Sequence, residues 1–149
     1  MRRLAVFAAI VLATACGDGN SLEGSISDSF SLDFDRVRIR KQAPELLIEY
    51  LKKHDGGTDK VCKVVVNTEG MSLGGNTNIR GPTFLDRVTV TRVAATGGDF
   101  PDVDSGSMHF DTYEFRDGGD MKGRFDVLFV NGRTLNGDFE GKVDTVPTD

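Results

Sequence analysis

Tryptophan is missing from these 149 residues, and cysteine, histidine, tyrosine and proline are scarce, at two, two, two and four copies. Two cysteines allow at most one disulfide, so neither a cysteine-rich scaffold nor a four-thiolate zinc centre is open to the chain. The histidines, His54 and His109, stand outside any H-x-H or H-E-x-x-H spacing, which removes the usual zinc signatures. No G-x-S-x-G nucleophile elbow occurs, and Gly74-Gly75-Asn76-Thr77 lacks the Gly-Lys-Ser/Thr ending of a phosphate loop. No apolar run reaches the ~20 residues a membrane helix needs. Positive charge is also short. Eighteen Lys and Arg against 23 Asp and Glu leave a net charge of −5, with the arginines scattered among carboxylates, a poor arrangement for nucleic acid.

What is present begins at the N-terminus. Arg2 and Arg3 lead into an apolar run over residues 4–15 that closes on small residues and Cys16. A positive n-region, a short h-region and a small-residue cleavage site make a secretory signal. Leu12-Ala13-Thr14-Ala15-Cys16 resembles the lipobox of bacterial lipoproteins, although Ala13 holds the place where that motif favours leucine. The resemblance implies cleavage before Cys16, diacylation of its thiol and acylation of its new amino group. One acyl chain binds a membrane marginally, at ~0.8 kcal/mol per buried CH₂, whereas two or three make a durable anchor. Gly17, in place of Asp, implies outer-membrane sorting by analogy with enterobacterial lipoproteins. The other reading is an ordinary secretory signal cut after Ala15, with Cys16 left as a free thiol or paired to Cys62.

On the lipoprotein reading, residues 1–15 are signal peptide, 16–21 lipidated cysteine and polar tether, 22–146 one β domain, and 147–149 a tail. The mature chain then has 134 residues and a charge of −7, from 16 basic and 23 acidic groups. That length suits a single domain with a sizeable core. Lipid on Cys16 leaves Cys62 alone, on the Cys62, Val64, Val66 face of a strand, as a buried and inert thiol.

Beyond Leu22, short alternating runs are separated by Gly-, Asn- and Pro-rich breaks, with no convincing helical stretch. The expected fold is all-β: an antiparallel sandwich or flattened barrel of about eight strands with Greek-key or meander connections. In residues 30–40, Phe30, Leu32 and Phe34 share one parity and Val37 and Ile39 the other, which predicts a bulge or bend at Asp35-Arg36. A connection over residues 42–45 pairs Val37 with Tyr50, Arg38 with Glu49 and Ile39 with Ile48. Strands are expected over residues 60–68, 84–93 and 107–116, and residues 69–83 are a candidate long loop, with loop or strand left open. At the last hairpin, a two-residue Asn131-Gly132 turn would mix core and solvent faces. A three-residue turn, Val130 to Gly132 with Gly132 left-handed, instead sets Val127 opposite Leu135 and Phe125 opposite Gly137. The string G-x-F-x-V-x-F-x-N-G-x-x-L-x-G-x-F over this hairpin is similar to the closing hairpin of many β-rich bacterial lipoproteins, a likeness that implies no activity.

Three constellations carry possible chemistry. Arg36, Arg38 and Arg40 form a ladder able to grip an anionic head group or polysaccharide, or to pair with acids across strands. Asp99, Asp102 and Asp104 concentrate carboxylates in one loop, but without the D-x-[DN]-x-[DN]-G calcium pattern, so no metal or other cofactor is expected. His109 and Asp111, with Tyr113, are the best acid–base group, though any solvated strand face offers such a trio. The leading expectation is a non-enzymatic envelope lipoprotein. Its partners would be the membrane, through its lipid, and an envelope protein or polysaccharide, with no nucleic acid. The alternatives are an envelope hydrolase using His109 and Asp111, and a barrel holding an apolar ligand.

Overall fold

A computed structural model describes residues 19–147, so the expectations at Cys16 and elsewhere in residues 1–18, and those on 148–149, lie outside the described residues. The described residues fold as nine strands: β1 (Ser21–Glu23), β2 (Arg36–Gln42), β3 (Glu45–His54), β4 (Gly57–Asn67), β5 (Thr77–Arg80), β6 (Val88–Val93), β7 (Val103–Tyr113), β8 (Asp120–Phe129) and β9 (Thr134–Thr145). A 3₁₀ turn (Ser25–Asp28) and a short helix, α1 (Pro82–Arg87), complete the elements. The order β5-β7-β8-β9-β2-β3-β4-β6 makes one curled mixed sheet, a half-barrel, with β1 beside β9. The all-β expectation holds.

Alternation builds the sheet. Along β8, Met121, Gly123, Phe125, Val127 and Phe129 are buried while the residues between them are exposed. Its hairpin with β9 has the expected register, Phe125 opposite Gly137 and Val127 opposite Leu135. Gly132 takes φ +80°, and its N–H donates to the Phe129 carbonyl at 2.9 Å, closing the three-residue turn. The β2–β3 hairpin also has the expected pairs, Val37 with Tyr50, Arg38 with Glu49 and Ile39 with Ile48.

Three local readings are corrected, and one left open is decided. Residues 30–35 lie outside the strands, so the change of parity is achieved by leaving the sheet, not by a bulge within one strand. Phe30, Leu32 and Phe34 still pack on the core, and the Asp35 N–H donates to the Leu51 carbonyl at 2.7 Å where β2 begins. Residues 84–87 are helical: Gly81 turns the chain at φ +60°, and Pro82 occupies the first helical turn, where its missing N–H loses nothing. Within the candidate loop, Thr77–Arg80 pairs with β7 because Ile79 drops into the core. Finally, β2 and β9 run parallel, Ile39 opposite Val143, so the sheet is mixed where all pairs were expected antiparallel. β9 is 12 residues long; β8 covers one side, and β1 and then β2 share the other.

Rings fill the concave side. Phe110 and Phe139 stand 6.0 Å apart, Tyr50 and Phe125 6.2 Å, and Phe100 and Phe129 5.5 Å. The Tyr50 hydroxyl, buried with its ring, donates to the Asp138 carbonyl at 2.6 Å, and burial pushes its pKa upward. Helix α1 links the edge strands β5 and β6 and packs on β7, sending Phe84 over Gly106. A Cβ at Gly106 would lie 2.7 Å from Phe84 Cζ, so only glycine admits the ring.

Candidate binding face

Strands β2, β3 and β4 have an apolar inner side and a mixed outer side, where Leu47 and Leu51 flank Glu49. Ile39, Ile48, Tyr50, Cys62 and Val64 enter the core, while Arg36, Arg38, Arg40, Glu49 and Lys63 fall on the outer side. A bulge then adds a further cation. β4 pairs Cys62 with Tyr50 but Lys60 with Leu51, so Val61 is the extra residue and Lys60 joins Lys63 on the outer side.

These cations converge on Glu49, whose side chain is fully buried. Arg38 Nε donates to Oε2 at 2.9 Å and Arg40 Nε to the same oxygen at 3.0 Å. Arg40 Nη2 donates to Oε1 at 3.0 Å, and Lys60 Nζ lies 3.1 Å from that oxygen. Each carboxylate oxygen thus has two charged partners. Burial alone would raise the Glu49 pKa, but the bonds from Arg38, Arg40 and Lys60 outweigh it and hold the group down at about 2.

One carboxylate against three cations leaves an excess of two positive charges. The cationic side chains remain 34%, 22% and 31% exposed for Arg38, Arg40 and Lys60. A guanidinium carries five N–H donors, of which Glu49 takes one from Arg38 and two from Arg40. Donors thus remain for an anion. Arg36 takes no part in the cluster; it borders a surface groove of about 380 Å³ with Asp35, Leu51, Lys53 and Thr58. The arginine ladder is therefore split: two members hold a buried acid and the third is exposed.

The other candidates fare differently. Asp99, Asp102 and Asp104 are exposed, and no group of three or more His, Cys, Asp or Glu able to hold a metal forms among the described residues. His109 Nδ1 faces Asn78 Oδ1 at 2.8 Å, and Nε2 faces Asp111 Oδ1 at 3.2 Å. Acceptors thus occupy both ring nitrogens, with no hydroxyl or thiol in the chain of bonds. Tyr113 does not share their side as expected. A register shift between Phe110 and Thr112 turns it onto the core, where its ring meets Phe110 at 5.0 Å. Cys62 is fully buried, as expected, and burial raises its thiol pKa far above the ordinary value.

The sequence reading anticipated Arg38 opposite Glu49 but missed Arg40 and Lys60. Arg40 sits diagonally on the same side, two residues along, which was legible in the register. Lys60 arrives only through the bulge. Compared with known proteins, the chain matches no family model, no curated protein and no solved structure.

Proposed function

We propose that this chain is a lipid-anchored protein of the bacterial envelope whose β domain binds an anionic partner through its outer face and catalyses nothing. The observation that carries the binding role is the Glu49 cluster, a locally cationic and pre-positioned surface on a chain of net charge −5. Charge-assisted bonds order the arginines before any ligand arrives, so less side-chain freedom is lost on binding. The anchor rests on the Leu12 to Cys16 motif, and Gly17 favours the outer membrane. Burial of Cys62 supports lipid over a Cys16–Cys62 disulfide, because that bond would require the tether to enter the core beside Tyr50.

Cys16→Ser tests the anchor. The unaltered chain should incorporate a clickable fatty acid and partition with membranes, and the variant should lose the label and enter the soluble fraction. Label retained by the variant overturns the lipid assignment.

A further inference from the structure

The place where the chain leaves the fold limits what the outer face can meet. Asn20 Oδ1 accepts the Glu140 N–H at 2.7 Å, and Ser21 pairs with Asp138, so residues 19–21 lie along β9. Three residues further along β9, Val143 pairs with Ile39 of β2, the strand that carries the arginine ladder. Three strand residues span about 10 Å. Cys16 stands only three residues before Gly19, a reach of about 10 Å at full extension. An acyl anchor at Cys16 therefore keeps the strand β2 ladder within roughly 20 Å of the bilayer.

Charge then selects the side. The outer face of β2–β4 holds Arg36, Arg38, Arg40, Lys53, Lys60 and Lys63 against Glu45 and Glu49, six cations to two acids. The neighbouring β9 positions are mainly acidic: Asp144 lies across from Arg40, and Asp138 and Glu140 are met by Ser21 and Lys122. A negatively charged surface would attract the first region and repel the second.

We infer that the outer face of β2–β4 rests on the anionic head groups of the bilayer that holds the Cys16 lipid, fixing the domain's orientation on the membrane. The inference rests on the lipid-anchor reading of the proposed function. An acyl chain and a basic patch together form the two-signal attachment that one weak element cannot provide. Each cation near an anionic surface strengthens binding roughly five-fold, and salt removes that gain within a Debye length.

The test uses full-length protein extracted from membranes and reconstituted into phosphatidylcholine vesicles, with or without about a third phosphatidylglycerol, a range where anionic lipid attracts basic segments. A membrane-impermeant amine reagent reports the accessibility of Lys63, with Lys142 on β9 as the reference. Expected is a fall in Lys63 labelling of at least five-fold on anionic vesicles at low salt, its return at high salt, and unchanged Lys142. Arg36→Glu, outside the Glu49 cluster, reverses a charge at the surface, weakens binding there about ten-fold or more and should abolish the protection. Equal Lys63 labelling on both vesicle types overturns the inference, as does protection by a soluble acidic polysaccharide with none by vesicles. Retention on phosphatidylcholine alone reports the anchor. Its loss refutes the lipid reading, while sedimentation with anionic vesicles still judges the face.

Discussion

Glu49→Gln removes one charge from the middle of the outer face and changes almost nothing in volume. In the folded protein the Glu49 carboxyl titrates near 2, against an ordinary 4.5. Each unit of displacement is worth about 1.4 kcal/mol, so the ionised group contributes roughly 3 kcal/mol to stability. The sign follows from the depressed folded-state value: the contribution is complete above about pH 4.5 and fades as pH falls toward 2. Glutamine offers one carbonyl oxygen and an NH₂ donor to three cations, so it keeps part of the hydrogen bonding and none of the charge attraction. Partial exposure of the arginines lets them turn to water, which trims the loss to about 2–3 kcal/mol at pH 7. The measurement is urea unfolding of both proteins at half-unit steps from pH 2 to 7. The gap should be constant above pH 5 and close toward pH 2, and Asp35, whose pKa is also lowered by the Lys53 backbone N–H and Lys52, cancels in the difference. A gap below 0.5 kcal/mol at pH 7, or one independent of pH, would refute the assignment of Glu49 as the ionised hub.

Two glycines in one hairpin separate backbone strain from steric exclusion. Gly132→Ala meets no atom within 4 Å but forces φ +80° on alanine, and should cost about 1 kcal/mol in thermal unfolding. Gly137→Ala places a Cβ 2.6 Å from Phe125 Cζ and 2.8 Å from Tyr50 Oη, and should cost about 3 kcal/mol or more by the same measurement. Cys62 should resist a thiol reagent in the native protein and react within minutes in 6 M guanidinium, where ~6 M exceeds the midpoint of ordinary domains. His109→Ala should shift stability by less than about 1 kcal/mol, because its partners Asn78 and Asp111 stay in contact with solvent.

Local pattern carried the hairpins. Phe125, Val127 and Phe129 against Leu135, Gly137 and Phe139 admit one register that keeps all of them on one side, and a slip by one residue exposes every ring. The same reasoning placed Arg38 beside Glu49 and Cys62 in the core. The helix was legible in part, since Gly81-Pro82 is a start signal, but six residues are too few for a helical period to outweigh the β-branched run after it. Tyr113 was misplaced because Asp111 interrupts the pairing of β7 with β8, and one strand's alternation holds no record of its neighbour.

Sequence by itself therefore determined the acidic balance, the N-terminal motif, the all-β class and the registers set by short turns, because each depends on groups a few residues apart. Tertiary structure decided the rest. Ile39 meets Val143 across 104 positions of chain, and β5 exists only because β7 offers it hydrogen bonds. The basic face needed both kinds of information. Its arginines were visible as a ladder, but their convergence on a buried carboxylate required β4 to bulge at Val61 and turn Lys60 outward. Pairing between distant strands is a choice among many partners of similar chemistry, and only the closed, packed sheet selects one.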